Sequence, residues 1–238
     1  MPNFSSRSLL PEKMDQQNLP VPTTQQALAE IEFINKWLGG YHVILNALAS
    51  LQWTNQTITI MDFGSGGGDN LRVIADWATK NNKSVRLIGV DINPVMTTYA
   101  ASRSTAFDNI EFITMSVFDN RLLDIKSDIT MNSLFCHHFD NSELVKLIQV
   151  MHQQATQNVI INDLHRHWLA YYSIKLLTAL FSKNYLVKYD APLSVARSLT
   201  RKEWKEILHQ AGIHHYSLRW MWAWRWQIII NKNSQHAD

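Results

Sequence analysis

Residues 57–69, Thr-Ile-Thr-Ile-Met-Asp-Phe-Gly-Ser-Gly-Gly-Gly-Asp, constrain this chain more than any other stretch. A short apolar strand ends in Asp62 and runs into Gly64, Gly66 and Gly68. Glycine at alternate positions lets the backbone bend sharply and approach a ligand with no side chain in the way. Residues 71–79 then have helical spacing. A strand, a glycine loop and a helix in that order open the nucleoside site of an α/β domain.

The spacing separates the ligands such a loop can hold. A dinucleotide fingerprint needs Gly-x-Gly-x-x-Gly, but the third glycine position falls on Asp69 or Leu71. An acid at that helix N-terminus would repel a pyrophosphate. A phosphate-cradling loop needs Gly-Lys-Ser/Thr, and the loop has no lysine. What remains, Asp-x-Gly-x-Gly-x-Gly, resembles the first motif of the class I S-adenosylmethionine-dependent methyltransferases. That cofactor carries an amine and a sulfonium, so an acid nearby is favourable. A glycine-rich turn without a ligand is the plain alternative, and the ordered continuation of the pattern argues against it.

The second strand, 85–91, closes on Asp91, an acid placed to accept both ribose hydroxyls. Asn93-Pro94 then reads as a helix cap with proline at the first helical position. The third strand, 110–114, leads to Ser116-Val-Phe-Asp119. The resemblance implies that Asp119 binds the adenine amine and Phe118 covers its ring. It places S-adenosyl-L-methionine among Asp62, Gly64, Ser65, Gly66, Gly68, Asp91, Ile92, Val117, Phe118, Asp119, Ser133 and Leu134. The fourth strand, from Asp128, runs into Phe135-Cys-His-His-Phe-Asp140. This segment resembles the ubiquinone/menaquinone-type small-molecule methyltransferases. The resemblance covers about residues 55–165.

Composition narrows the function classes. The 22 basic and 20 acidic residues are mixed along 238 positions, with no basic block long enough to hold nucleic acid by its phosphates. One cysteine, Cys136, excludes an internal disulfide framework and fits a reducing compartment, so a cytoplasmic location is expected. The first eight residues carry no apolar signal core. No run reaches the ~18–20 apolar residues of a membrane span, so no stable membrane insertion is expected. Enzymes that methylate amino groups of adenine or glutamine carry Asn/Asp-Pro-Pro-Tyr/Phe after the fourth strand, where this chain has Asn132-Ser-Leu-Phe135. Cytosine-C5 enzymes need a Pro-Cys nucleophile, and Cys136 follows a phenylalanine.

Around this centre, residues 1–22 read as irregular, 24–38 as a helix stopped by Gly39-Gly40, and 41–51 as a second helix. Asp140-x-x-Glu143 and Thr200-x-x-Glu203 are capping boxes. The fifth strand is expected over 158–163. Residues 168–181 are apolar nearly all round, so that helix packs in a core or a homodimer contact, covers a greasy acceptor, or touches a membrane surface. Strands at 215–222 and 224–231 follow, and Trp220, Trp222, Trp224 and Trp226 alternate, the pattern of one sheet face buried under helices or of a stacking wall for an aromatic acceptor. The expected organisation is an N-terminal helical cap over 1–52 and a methyltransferase domain over 53–238, with a helical insertion at about 165–198. The implied fold is α/β, three-layer and Rossmann-like, with seven mostly parallel strands, the last antiparallel.

For chemistry, His137 and His138 follow the fourth strand at the cofactor edge, and histidine suits removal of a proton from a hydroxyl. Packing, or contact with the methionine part of the cofactor, is the other reading of the pair. Asp163, His165 and Arg166 end the fifth strand. Asp163 could orient His165 or His138, and Arg166 could hold an acceptor oxygen, unless the group is a salt-bridge cluster. No histidine or cysteine spacing is a zinc pattern, so no metal is expected. The implied function is methyl transfer to a small hydrophobic or aromatic acceptor, O-methylation before C-methylation of a quinone or polyketide. The alternatives are a silent cofactor-binding subunit, with the apolar helix as its docking face, and a polynucleotide methyltransferase, which nothing in the charge pattern favours. The N-terminal segment Pro11-Glu-Lys-Met-Asp15, residues 35–40 and Asn162-Asp-Leu-His-Arg166 resemble a methyltransferase subgroup with small aromatic or polyketide acceptors.

Overall fold

A computed structural model describes residues 3–16 and 18–232. The outer ends of the two expected segments, 1–2 and 233–238, lie outside the described residues. Seven strands form one sheet: β1 (Ile58–Phe63), β2 (Val85–Asp91), β3 (Ile110–Thr114), β4 (Ser127–Ser133), β5 (Ala155–Leu164), β6 (Tyr216–Met221) and β7 (Arg225–Asn231). Their order across the sheet is β3-β2-β1-β4-β5-β7-β6. β1 to β5 pair in parallel, while β7 runs antiparallel to both β5 and β6. The strand order reverses at β1, so the C-terminal ends of β1 and β4 flank the crevice where ligands of open α/β sheets bind.

Alternation along β1 sets the layers. Ile58 and Ile60 face α2 (Gly40–Ser50) and α3 (Asp69–Lys80), packing with Ile44, Leu48, Leu71 and Ile74. Met61 and Phe63 face the other way, against Leu144, Leu147 and Ile148 of α5 (Asn141–Gln154) and Trp204 of α8 (Arg201–Gln210). Both sheet faces are therefore covered, which is why these strands read as near-continuous apolar runs. α4 (Pro94–Arg103) starts at the Asn93 cap, whose side chain accepts from the Val95 N–H. Both capping boxes form, at Asp140/Glu143 and Thr200/Glu203.

A third cluster lies over the crevice. α1 (Val21–Trp37) and α7 (Tyr185–Arg197) pack through Ala27, Leu186 and Val187, with Met14, Ile31 and Ile34 against them. α1 begins at Val21 with Pro22 in its first turn, where proline needs no N–H partner. Gly39 ends it in the left-handed region, at φ 70°. Residues before α1 include a short turn, Lys13–Asp15, pinned by Asp190 of α7, whose carboxylate accepts from the Lys13 and Met14 N–H groups.

Three expectations need correction. β5 starts at Ala155, directly after α5, rather than at 158. The four tryptophans do not share one buried face. Trp220 pairs across the hairpin with Trp226, but Trp226 is buried while Trp220 is half exposed, and Trp222 and Trp224 belong to the connection between strands. Nor is α6 (Trp168–Phe181) enclosed: only Ala170 and Thr178 are buried, and Leu176, Leu180 and Phe181 are exposed. Its partner is α7 on one side and the crevice on the other, which leaves its outer apolar face open. No helix among the described residues is long and apolar enough to cross a membrane.

Candidate active site

The glycine loop is held from three directions. Gly64 and Ser65 N–H groups both donate to the Val90 carbonyl, at 2.8 and 3.0 Å, which ties the loop to β2. Gly66 N–H donates to Asp91 Oδ2 at 3.0 Å, and Asn93 N–H to Asp91 Oδ1 at 2.9 Å. From α1 and α2, Asn35 and the Tyr41 hydroxyl donate to Asp69 Oδ2 at 3.3 and 2.8 Å. Gly64 has φ 74°, and a Cβ there would stand 2.2 Å from the Phe135 ring. Only glycine allows that turn and that approach together.

Asp62 lies just behind the loop, fully buried, and neither carboxylate oxygen has a partner among the described residues. Burial, then the charges of Asp69 and Asp91, push its carboxyl well above the usual range. An unpartnered buried carboxylate costs free energy unless something answers it. The Ser65 hydroxyl, at the crevice wall, is equally unpartnered. A cationic, hydrogen-bonding ligand would answer both. Burial also raises the Asp91 carboxyl against its backbone hydrogen bonds.

The glycine loop, Ser65, Asp69 and Asp91 line one cavity of about 790 Å³, and Asp62 stands behind its wall. Ser65, Gly66, Asp91, Ile92, Val117 and Phe118 surround one end, and Gly64, Ser133, Leu134 and Phe135 its middle. Leu134 sits in the left-handed region, at φ 55°, and its N–H donates to the Asn162 carbonyl at 2.8 Å. That kink turns residues 133–135 towards the cavity. Asp119 is not part of the lining. It caps the short helix at Asn120–Asp124 and is gripped by Arg121, whose Nη2 lies 2.6 Å from Oδ2 and holds its carboxyl at about 2. Gly68 lies one residue behind the wall and caps α3.

The far end carries the histidines. His137 is buried, with Nδ1 2.7 Å from Asp163 Oδ1 and its own N–H donating to Asp163 Oδ2 at 3.0 Å. Burial alone would raise the Asp163 carboxyl, but His137 beside it holds it below the usual range. An ionised carboxylate can only accept, so His137 carries a hydrogen on Nδ1, and its Nε2 is turned towards Glu12. His138 stacks on His137, 4.5 Å between ring centres, with Nδ1 3.0 Å from Asp15 Oδ1. Burial pushes His138 down, but the Asp15 hydrogen bond and the charges of Glu12, Asp15 and Asp163 outweigh it and lift it to about 9. Glu12 faces both rings, 3.5 Å from His137 Nε2 and 3.9 Å from His138 Nε2. Glu12, His137 and His138 are grouped closely enough to suggest a metal site.

His165 and Arg166 are not brought into this group. All three Arg166 nitrogens are engaged, by the Phe4 and Ser198 carbonyls and by Glu203 Oε1 at 2.7 Å, so it fastens the α7–α8 junction. His165 packs on Trp226 instead, and burial lowers it to about 4. Sequence reasoning passed over Glu12 and Asp15 as site residues, along with Asn35, Asp69, Arg225 and the Arg197 of α7. Arg197 fastens the carbonyls of His137 and His138, at 3.0 and 2.7 Å. The signals for four of them are the Pro11-Glu-Lys-Met-Asp15 segment, the 35–40 stretch and the acid at the start of α3, while nothing in the sequence marks Arg197 or Arg225.

Residues 60–158 match the family model described as a methyltransferase domain. That match spans less than half of the chain. Solved methyltransferase structures share the chain's fold. An O-methyltransferase candidate from Nostoc punctiforme matches 86% of the chain at 15% identity, with TM-score 0.59. The C-methyltransferase domain of the citrinin polyketide synthase matches 77% at 13% identity, with TM-score 0.57, over 48% of its own length. An S-adenosylmethionine-dependent methyltransferase from Aquifex aeolicus matches 73% at 17% identity, with TM-score 0.55, over 81% of its length. The chain spans 60% of the length of the Nostoc protein. Among curated proteins no sequence matches the chain.

Proposed function

We propose that this chain transfers a methyl group from S-adenosylmethionine to a small hydrophobic or aromatic acceptor, at a hydroxyl oxygen. The observation that carries this reading is the single cavity that runs from the glycine loop to the His137–Asp163 pair. Its volume of about 790 Å³ suits a nucleoside cofactor and a small acceptor together. Asp91 and the glycine loop would hold the nucleoside, and Ile92, Val117 and Phe118 would flank the base.

When bound, the cofactor supplies an already activated methyl group on a sulfonium. The chain's own task is to align the acceptor, exclude water and remove a proton. Alignment can contribute ~7–11 kcal/mol. Ile31 and Ile34 of α1, Ile174 and Leu177 of α6, and Val187 and Val195 of α7 line the acceptor end and exclude water. His137 takes the hydroxyl proton at Nε2, and the imidazolium so formed lies between Asp163 and Glu12. His138 holds its own proton at neutral pH, so it donates a hydrogen bond to the acceptor oxygen rather than acting as base. An acidic carbon between two carbonyls would lose its proton to the same base, so the product, not the site, separates O- from C-methylation. The histidine-pair segment after β4 supports a place among quinone-type or secondary-metabolite methyltransferases. The buried free thiol of Cys136 supports a cytoplasmic setting.

The test uses methyl-labelled cofactor with a panel of phenols, quinols and 1,3-dicarbonyls. His137→Gln and Asp163→Asn should each lower turnover about 10²–10⁴-fold, with adenosylhomocysteine affinity unchanged by calorimetry. Full turnover in His137→Gln would remove the proposed base.

A further inference from the structure

The buried arginines of this chain differ in one respect. Arg166 and Arg197 use all three side-chain nitrogens in hydrogen bonds to carbonyls and carboxylates. Arg225, the first residue of β7, does not. It is 2% exposed, and it spends one bond, from Nη2 to Asn35 Oδ1 at 3.1 Å. Its Nε and Nη1 have no partner among the described residues, and the residue forms part of the cavity wall.

The acids nearby are already engaged. Asp163 is taken by His137 and by the Leu164 N–H. Asp69 is taken by Tyr41 and Asn35. Burial lowers the Arg225 guanidinium to about 10, which still leaves it charged at neutral pH. A charged fork, dry and two-thirds unpaired at the wall of a cavity, is a built site for an anion. Its planar pair of donors matches a carboxylate.

We propose that Arg225 is the carboxylate-binding residue of this cleft, and that the carboxylate belongs to the amino-acid end of the cofactor. The proposal rests on the cofactor reading given above. Position decides the source. Arg225 is tied through Asn35 to Asp69 at the N-terminus of α3, on the glycine-loop side of the cavity. An amino-acid end presents an ammonium and a carboxylate one carbon apart. Here the Asp69 carboxylate in the cavity wall opposes the first and Arg225 opposes the second, with the unpartnered Asp62 behind the wall. A carboxylate on the acceptor is the other source of the same chemistry, because Arg225 also stands near Asp163.

Calorimetry on the intact protein separates these. The probes are adenosylmethionine and its decarboxylated form, which keeps the sulfonium and the amine. The wild type should bind the decarboxylated form about 10- to 100-fold more weakly, the range of a charge-assisted pair. Arg225→Met should weaken adenosylmethionine by a similar factor and leave the decarboxylated form unchanged. Arg225→Lys keeps the charge without the fork, and should lose several-fold on adenosylmethionine alone. It serves as the variant of record if Arg225→Met does not fold. A second arm titrates adenosylhomocysteine-loaded protein with 4-hydroxybenzoate and with phenol. A thermal shift from the benzoate alone, lost in Arg225→Met while cofactor affinities hold, keeps the subsite and moves the carboxylate to the acceptor. Equal weakening of both cofactors, or no effect on cofactor or benzoate, overturns the proposal. Failure of the wild type to bind either cofactor would instead overturn the cofactor reading itself.

Discussion

His138 should make this protein lose stability as the pH rises from neutral. In the folded chain its imidazole is lifted to about 9, against a usual value of 6.5. The groups that face it are Glu12 and Asp15 from the N-terminal segment and Asp163 from β5, with Arg197 of α7 on its carbonyl and His137 stacked beneath. A group whose folded value is raised stabilises fully below its unfolded value, and that contribution is lost as pH climbs through the folded value. The window is therefore 6.5 to about 9. At ~1.4 kcal/mol for each tenfold change in proton affinity, the gap corresponds to about 3 kcal/mol. Some 24% of the side chain reaches solvent, which screens part of this, so about 2 kcal/mol is the working figure. Urea unfolding of wild type and His138→Gln, measured from pH 6 to 10, gives the difference directly. The wild type should lose about 2 kcal/mol relative to the variant over that range. Parallel curves would show that His138 takes up its proton no more readily when folded, and would remove its role as a donor to the acceptor oxygen.

Two further outcomes concern the glycine loop. Asp91→Asn keeps the shape of the side chain but removes the charge that receives the Gly66 and Asn93 N–H groups. Adenosylhomocysteine affinity should fall about 10- to 100-fold, read by calorimetry, with the far-ultraviolet circular dichroism unchanged. Gly64→Ala must place a Cβ 2.2 Å from the Phe135 ring at φ 74°. It should lower the thermal midpoint and the cofactor affinity together, while Gly212→Ala, where nothing lies within 4 Å, should leave cofactor affinity alone.

The half of the site that reads from sequence is the half built locally. Asp62, Gly64, Gly66 and Asp91 lie at two strand ends joined by a single helix, so their spacing along the chain is their spacing in the fold. Each also has a conformational reason to be the residue it is, such as the turn at Gly64. The same holds for the capping boxes and for the histidine pair one turn beyond β4. Other parts were hidden because packing decides them. The helical periodicity of α6 gave its bounds but not which side it buries, since residues apolar all round carry no preferred face. The tryptophans alternated in sequence, but the hairpin turned between the second and third of them, and alternation defines a face only within a strand. For Arg166 the chemistry of the side chain was legible, while the carbonyls that consume it come from Phe4 and Ser198, far away in the chain.

The part of the cavity that the proposed reading gives to the acceptor is assembled from the N-terminal segment and α7, and this has a mechanical consequence. Glu12 and Asp15 arrive on a turn whose backbone is held by Asp190 of α7. Glu12 is held there too, by the Ser194 hydroxyl at 2.9 Å. Arg197, one turn further along α7, fastens the carbonyls of both histidines, while Arg7 reaches the His137 and Phe139 carbonyls at 3.3 and 2.8 Å. The cover over the acceptor and the positioning of the base are thus the same set of bonds. An acceptor too large for the cavity would have to displace α7, and displacing α7 loosens the histidines that would deprotonate it. On the proposed reading, selection by size and readiness for proton removal would be coupled through Arg197, so the apolar roof would act on the chemistry without touching the reacting atoms.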